Sequence, residues 1–284
     1  MKKNLIGFSL LAAGGVAALL AAAVPGAALP TSAADTVPGI VHEAEAFGTA
    51  DDGAEAGLRE AVRRCMAGQG FDYTPPDAQV VLDLQERMSV ARLTVDQAKA
   101  RGYSPDNPGP AEPEPDSAEG KLFADPAFAA ALNGPRDGAT AEAGGLGLSL
   151  GGCRAEGVET VYGSGENYIL ATGWANNAFA EASGAAMYDA GFTAAITDWR
   201  ECMSATPFSY DSPFQSVEAG KQLGGHEEIQ LAVADAGCRG DTGFHERIDE
   251  VLDKYLTARM QELAPRIEQV RGIREAAAAS AARL

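Results

Sequence analysis

The residues of this sequence with the most chemistry to offer are four cysteines, Cys65, Cys153, Cys202 and Cys238, and an acidic, histidine-bearing stretch between His226 and Glu246. Thiols form disulfides, hold zinc or cycle as a redox pair. Zinc sites and redox pairs usually draw on a Cys-x-x-Cys turn, and none occurs here. Disulfides need no such local spacing, so two of them are the expectation. His226, Glu227, Glu228, Asp235, His245 and Glu246 are metal-ligand types, yet no His-x-x-x-His spacing sets two of them on one helix face. Glu227 and Glu228 suit a helix N-terminus by charge, and the histidines suit a solvated surface.

Other catalytic patterns stop short. Gly163-Ser164-Gly165 is not a Gly-x-Ser-x-Gly elbow. The glycine-rich run 143–152 is expected to have neither the preceding strand nor the following lysine of a phosphate-cradling loop; of the two, the missing lysine is read directly from the sequence. Asp51-Asp52-Gly53 is a fragment of a calcium loop without its spaced oxygen ligands. Glu159 and Glu166 form an acid pair of the glycosidase type, but among 40 acidic residues such pairs arise by chance. No catalytic residue, cofactor or metal is assigned. The alternative reading is a secreted hydrolase of cell-wall or glycan material that uses scattered acids or a metal at His226 and His245.

The cysteines belong to a repeated pattern. Residues 58–75 carry Cys65-Met66, Phe71, Tyr73 and Pro75, and residues 199–213 carry Cys202-Met203, Phe208, Tyr210 and Pro213. Phe and Tyr stand six and eight residues after cysteine in both. Each copy is followed by a Gly-Cys-Arg, at 152–154 and at 237–239. The repeat selects one pairing of three: Cys65 with Cys153, and Cys202 with Cys238. The aromatic set Phe71, Tyr73, Trp199, Phe208 and Tyr210 is expected to cover the disulfides, and is also the candidate surface for a glycan or peptide ligand.

These residues need helices to place them. Leu58, Val62 and Cys65 recur at helical spacing, as do Ile196, Trp199 and Met203, so each Cys-Met closes a helix. Asp77 is expected to cap a helix reaching Met88, and Thr94 with Gln97 has capping-box spacing. Five prolines between 104 and 117 predict an exposed linker, and 138–152 predicts a glycine-rich loop. A short helix should follow Asp125, and a longer one should run from about His226 to Cys238. Ile248, Leu252, Tyr255, Leu256, Met260, Leu263, Ile267 and Val270 form a stripe along a long final helix, capped by Asp241 or Thr242 and kinked or broken at Pro265. Its part beyond Pro265 is expected to stand exposed and open to self-association.

The first residues follow secretory logic. Lys2 and Lys3 precede an uncharged apolar run at 5–24, Pro25-Gly26 breaks it, and small residues allow cleavage at Ala33 or Ala34. An uncleaved anchor is the competing reading, since the run is long enough to span a bilayer. The expected boundaries are a signal peptide at 1–34, a flexible tether at 35–54, repeats at 55–160 and 161–245, and the final helix at 246–284. A net charge of −18 argues against nucleic acid and anionic membranes as partners.

Together, Trp199-x-x-Cys202-Met203, Phe208-x-Tyr210-x-x-Pro213 and Ala232-x-x-Asp235-x-x-Cys238 before a long charged helix resemble a pattern in uncharacterised secreted proteins and lipoproteins of actinobacteria. The first copy adds Cys65-Met66 and Gly70-Phe71-Asp72-Tyr73. It lacks the tryptophan, the second copy has Pro207 where the pattern has glycine, and no lipobox cysteine is present. The resemblance implies secretion and assigns no activity. The sequence therefore predicts a mainly α protein of two disulfide-stapled helical repeats with a long C-terminal helix, acting as a non-enzymatic binding or scaffold protein for an envelope or extracellular partner. After signal cleavage no membrane contact is expected.

Overall fold

Helices dominate the computed structural model, which describes residues 39–49, 51–77, 82–105, 114, 116–134 and 140–284. The expected signal peptide and most of the proline-bearing stretch lie outside the described residues. In chain order, α1 (Gly39–Gly48) and α2 (Asp52–Gly68) lead into the extended segment with Phe71 and Tyr73, followed by α3 (Leu84–Arg87) and α4 (Val95–Arg101). Two short helices, α5 (Ala118–Ala124) and α6 (Pro126–Asn133), precede an antiparallel hairpin of β1 (Thr140–Ala143) and β2 (Leu146–Ser149). Then come α7 (Gly152–Tyr162), α8 (Gly165–Thr172), α9 (Trp174–Ala186), α10 (Ala190–Ser204), α11 (Pro213–Leu223), α12 (Gly225–Asp241) and α13 (Phe244–Ala281).

The helix starts follow from local chemistry. Side-chain oxygens of Asp51, Ser117, Asp125, Ser164, Asp189 and Ser212 accept a backbone N–H of the helix that follows each. Those bonds satisfy donors the first turn leaves open. Thr94 and Gln97 form the full capping box expected of them.

Four expectations need correction. The supposed tether at 35–54 contains α1, because Val41, Ala44 and Phe47 line one face and are buried. The helix expected from Asp77 to Met88 is the single turn α3 among the described residues, residues 78–81 lying outside them. Part of the supposed loop at 138–152 is the β1–β2 hairpin, turning at Gly144-Gly145. The final helix starts at Phe244, after a turn at Thr242 and Gly243 that closes α12. It runs unbroken through Pro265, which stands on its exposed face with Gln261. There the carbonyl of Gln261 that proline leaves without a donor can reach water.

Two compact units divide the chain. One, which we call the Cys65 unit, takes Gly39–Leu84, Asn107–Ser183 and Asp253–Leu284. The other, the Cys202 unit, takes Gln85–Asp106 and Gly184–Leu252 of the described chain. Each contains one disulfide, Cys65–Cys153 or Cys202–Cys238, as the repeat predicts.

In the Cys65 unit, Phe47 meets Trp174 and Phe179 edge-on, both at 6.3 Å between ring centroids. The guanidinium of Arg274 lies 4.9 Å from the centre of the Phe47 ring. It donates to the carbonyls of Phe47 and Ala171, which lie in the last turns of α1 and α8. A cation there favours the negative ends of both helix dipoles. The distal stretch of α13 is docked, contrary to expectation. Ile267, Val270 and Ala277 are buried, and Ile273, Ala277 and Ala281 belong to one cluster with Ala54, Val161 and Ala171. Of the stripe, Ile248, Leu252, Leu256, Met260, Ile267 and Val270 are buried, while Tyr255 and Leu263 are half-buried.

The start of α7 depends on glycine. Gly152 has φ +53°, and a Cβ there would lie 2.3 Å from the Ala131 carbonyl oxygen. Gly152→Ala must therefore displace the backbone of α6 as well as adopt a left-handed conformation. An expected loss of about 2–4 kcal/mol follows from strain and overpacking. A urea titration of the Cys65 unit followed through Trp174 fluorescence checks it.

Candidate ligand surface at the first disulfide

Helix α2 ends in a Schellman turn that explains the order Cys65-Met66…Gly70-Phe71. Gly70, at φ +87°, donates to Ala67 O, and Phe71 N–H reaches back to Met66 O at 2.9 Å. That 6→1 bond turns the chain back so that Phe71 packs in the cluster of Met66, as the motif's hydrophobic contact requires. Cys65, in the last turn of α2, is thereby held beside Cys153 in the first turn of α7, with 5.5 Å between Cα atoms.

Four rings gather around this end of α2. Phe71 lies 5.5 Å from Phe128, and Tyr73 lies 5.1 Å from Phe128 and 5.8 Å from Phe123. Phe123 in turn meets Phe128 at 5.3 Å, and all four contacts are edge-to-face. Such pairs add about 0.5–1.5 kcal/mol each beyond burial. Phe128 is the buried centre, Phe71 and Tyr73 are half-buried, and Phe123 is 41% exposed. Burial, with Arg154 opposing and Glu119 reinforcing it, holds the Tyr73 phenol above its ordinary pKa. The result is an apolar face already ordered by its own ring contacts, with charge of both signs near its tyrosine.

The second copy ends differently and shows no such face. Trp199 and Phe208 are 0% and 2% exposed, so neither presents a ligand surface, which corrects their assignment to one. Tyr210 is half-buried. Pro207 stands where Gly70 stands in the first copy, and a ring-locked φ cannot take the left-handed turn. Thr206 substitutes: its Oγ1 donates to Met203 O at 2.7 Å and accepts the Phe208 N–H at 3.1 Å. Cys238 also sits in the last turn of α12, whereas Cys153 opens α7, so the two Gly-Cys-Arg segments occupy opposite helix ends.

Trp199 instead serves a buried polar network in the Cys202 unit. Its indole N–H donates to Asp235 Oδ1 at 2.9 Å. Arg239, 1% exposed, grips the same carboxylate through Nε and Nη2 at 2.7 and 2.8 Å. Tyr103 adds a hydroxyl bond to Oδ2 at 2.9 Å and lies 2.7 Å from Ser216 Oγ, while Arg239 Nη1 donates to Ala91 O. Burial first, then the Asp235 charge, drives the Tyr103 phenol far above its ordinary pKa. Asp235 thus receives four hydrogen bonds, which is what a buried carboxylate requires. By its offset from cysteine the first copy has Val62 where the second has Trp199, packed in the cluster of Met66 and Phe128, and Leu150 where the second has Asp235.

The histidines do not converge. His226 opens α12 and pairs with Gln230, while His245 lies just beyond the far end of that helix. Seventeen helical residues separate their ends by roughly 25 Å. Among the described residues no group of three or more His, Cys, Asp or Glu is placed to hold a metal ion. Phe123, Phe128, Tyr103 and Arg239 escaped the sequence reading. Only the four-residue spacing of Asp235 and Arg239 on one helix could have indicated their pairing.

These features define a mainly α-helical protein with one disulfide in each of two units and a half-exposed aromatic face in the first. Comparison of the chain with protein-family models, curated proteins and solved structures finds no match.

Proposed function

We propose that this is a secreted, non-enzymatic binding or scaffold protein of the cell envelope or extracellular space, with Phe71, Tyr73 and Phe123 as its contact surface. The observation that carries the reading is the aromatic face itself. Exposed rings held rigid by a buried partner lose little entropy on binding, which is how aromatic anchors supply affinity. Two disulfides support an oxidising compartment. Lys2, Lys3 and the apolar run at 5–24 support export with cleavage near Ala33 or Ala34. No described helix is long and apolar enough to cross a membrane.

The test is co-sedimentation of the purified protein with insoluble cell-wall material. Phe123→Ala is expected to weaken retention at least about tenfold, in the range of an interface anchor. Its helical circular dichroism should be unchanged, because the ring is partly in solvent. Equal retention of wild type and variant would remove this face from the reading, and N-terminal sequencing of exported protein tests the cleavage separately.

A further inference from the structure

The segment from Gln85 to Leu93 crosses the Cys202 unit with little regular structure, yet Gln85, Met88, Val90 and Leu93 are all buried. Much of what holds it is one histidine. His245 Nδ1 lies 2.6 Å from Gln85 Oε1, and His245 Nε2 accepts the Leu93 N–H at 3.3 Å. The Gln85 amide nitrogen donates to His245 O at 2.9 Å and to Asp249 Oδ1 at 2.8 Å. Its oxygen must therefore be the atom facing the ring, and Nδ1 must carry the proton. Nε2 is then a bare lone pair, the only form that can accept from Leu93.

A second proton on this ring has no acceptor, because it would point at a backbone N–H. The charges facing the ring oppose it too. Arg92 comes from the segment itself, bonded to Asp249 Oδ1 at 2.8 Å, and Arg239 comes from α12, already matched by Asp235. Asp249, on the same helix as His245, is the acid on this side and is engaged by both Gln85 and Arg92.

We propose that His245 is an acid-sensitive latch: in its neutral form it clamps the 85–93 strap onto the Cys202 unit, and its protonation releases the strap. Burial first, then Arg239 and Arg92, push the His245 pKa down to about 3 from an ordinary value of 6.5. With the strap released, the ring regains its ordinary basicity. Between pH 6.5 and pH 3 the released form therefore binds a proton that the clamped form does not. The clamp is at full strength above pH 6.5, and the released population rises about tenfold for each pH unit of acidification below it. Release uncovers the Ala91 carbonyl that Arg239 holds and frees the Asp249 carboxylate from Gln85 and Arg92.

Hydrogen exchange of the full chain at pH 7 and pH 4.5, corrected for intrinsic rates, tests this. Protection of amides 88–93 is expected to fall about 100-fold in the wild type, while α2 and α7 change little. His245→Gln, which retains a donor and an acceptor but cannot titrate, is expected to lose this difference. An identical acid response in His245→Gln would overturn the latch. Should that variant prove unstable at pH 7, titration of the imidazole by NMR in the wild type decides. A neutral Nδ1–H ring persisting to pH 5 supports the proposal, and a ring that titrates near 6.5 with the strap still protected refutes it.

Discussion

Arg239→Met is expected to lower the stability of the Cys202 unit by about 3–5 kcal/mol, the range found when one member of a buried ion pair is removed. Methionine fills much of the same volume, so lost packing is a minor part of the effect. What remains is Asp235 at 0% exposure with the Trp199 and Tyr103 bonds and no counter-charge. Asp235→Asn should be comparably damaging from the other side, because it leaves the guanidinium of Arg239 buried and unmatched. The double variant Asp235→Asn/Arg239→Met restores charge balance, while the amide oxygen of the introduced asparagine still accepts from Trp199. It should therefore lose less than the sum of the singles, with a coupling of at least about 2 kcal/mol. Each unit contains one tryptophan, Trp199 here and Trp174 in the Cys65 unit. Urea unfolding in a Trp174→Phe background thus reports the Cys202 unit alone, and additive single effects would show that the pair does not act as a unit.

What was legible in the sequence was whatever depends on neighbours along the chain. Thr94 with Gln97, Asp125 before Pro126, and the Gly70-Phe71 turn after Met66 act within a few residues, so composition and spacing are enough to place them. The disulfide pairing is long-range, but duplication put it into the sequence as two matched offsets. The remainder needed tertiary information. Phe123 and Phe128 are separated from Phe71 and Tyr73 by some fifty residues, with a proline-bearing stretch between, and no periodicity links them. Trp199 and Phe208 looked like ligand residues for the same reason that Phe71 and Tyr73 did. Their burial follows from Asp235 and Pro207, which change the environment of the second copy without changing its aromatic spacing. The distal part of α13 was misjudged because Ala277 and Ala281 carry too little hydrophobicity to mark a face, although small side chains are what permit close packing there: Ala281 lies against the bare Cα of Gly57.

Removal of either disulfide by paired Cys→Ala substitution is expected to cost about 2–5 kcal/mol, and more for the first than for the second. The bridges span sequence separations of 88 and 36, for which the chain-entropy model gives roughly 4.6 and 3.8 kcal/mol. Alanine is the right replacement, because Cys153 and Cys238 are buried and a serine hydroxyl would add an unsatisfied polar group. Trp174 and Trp199 fluorescence should assign each loss to its own unit, so Cys65→Ala/Cys153→Ala should shift the Trp174 transition and leave that of Trp199 nearly in place. The first pair carries a consequence for binding that the second does not. Cys65 lies in the same final turn of α2 as Met66, whose carbonyl fixes Phe71, and Cys153 ties that turn to α7. Without the bridge, the aromatic face rests on ring contacts and the Schellman turn alone. Retention on cell-wall material should then fall even where Cys65→Ala/Cys153→Ala stays folded, whereas Cys202→Ala/Cys238→Ala should bind as the wild type does. Equal losses in both variants would mean that the disulfides act only through overall stability and that the ligand surface lies elsewhere.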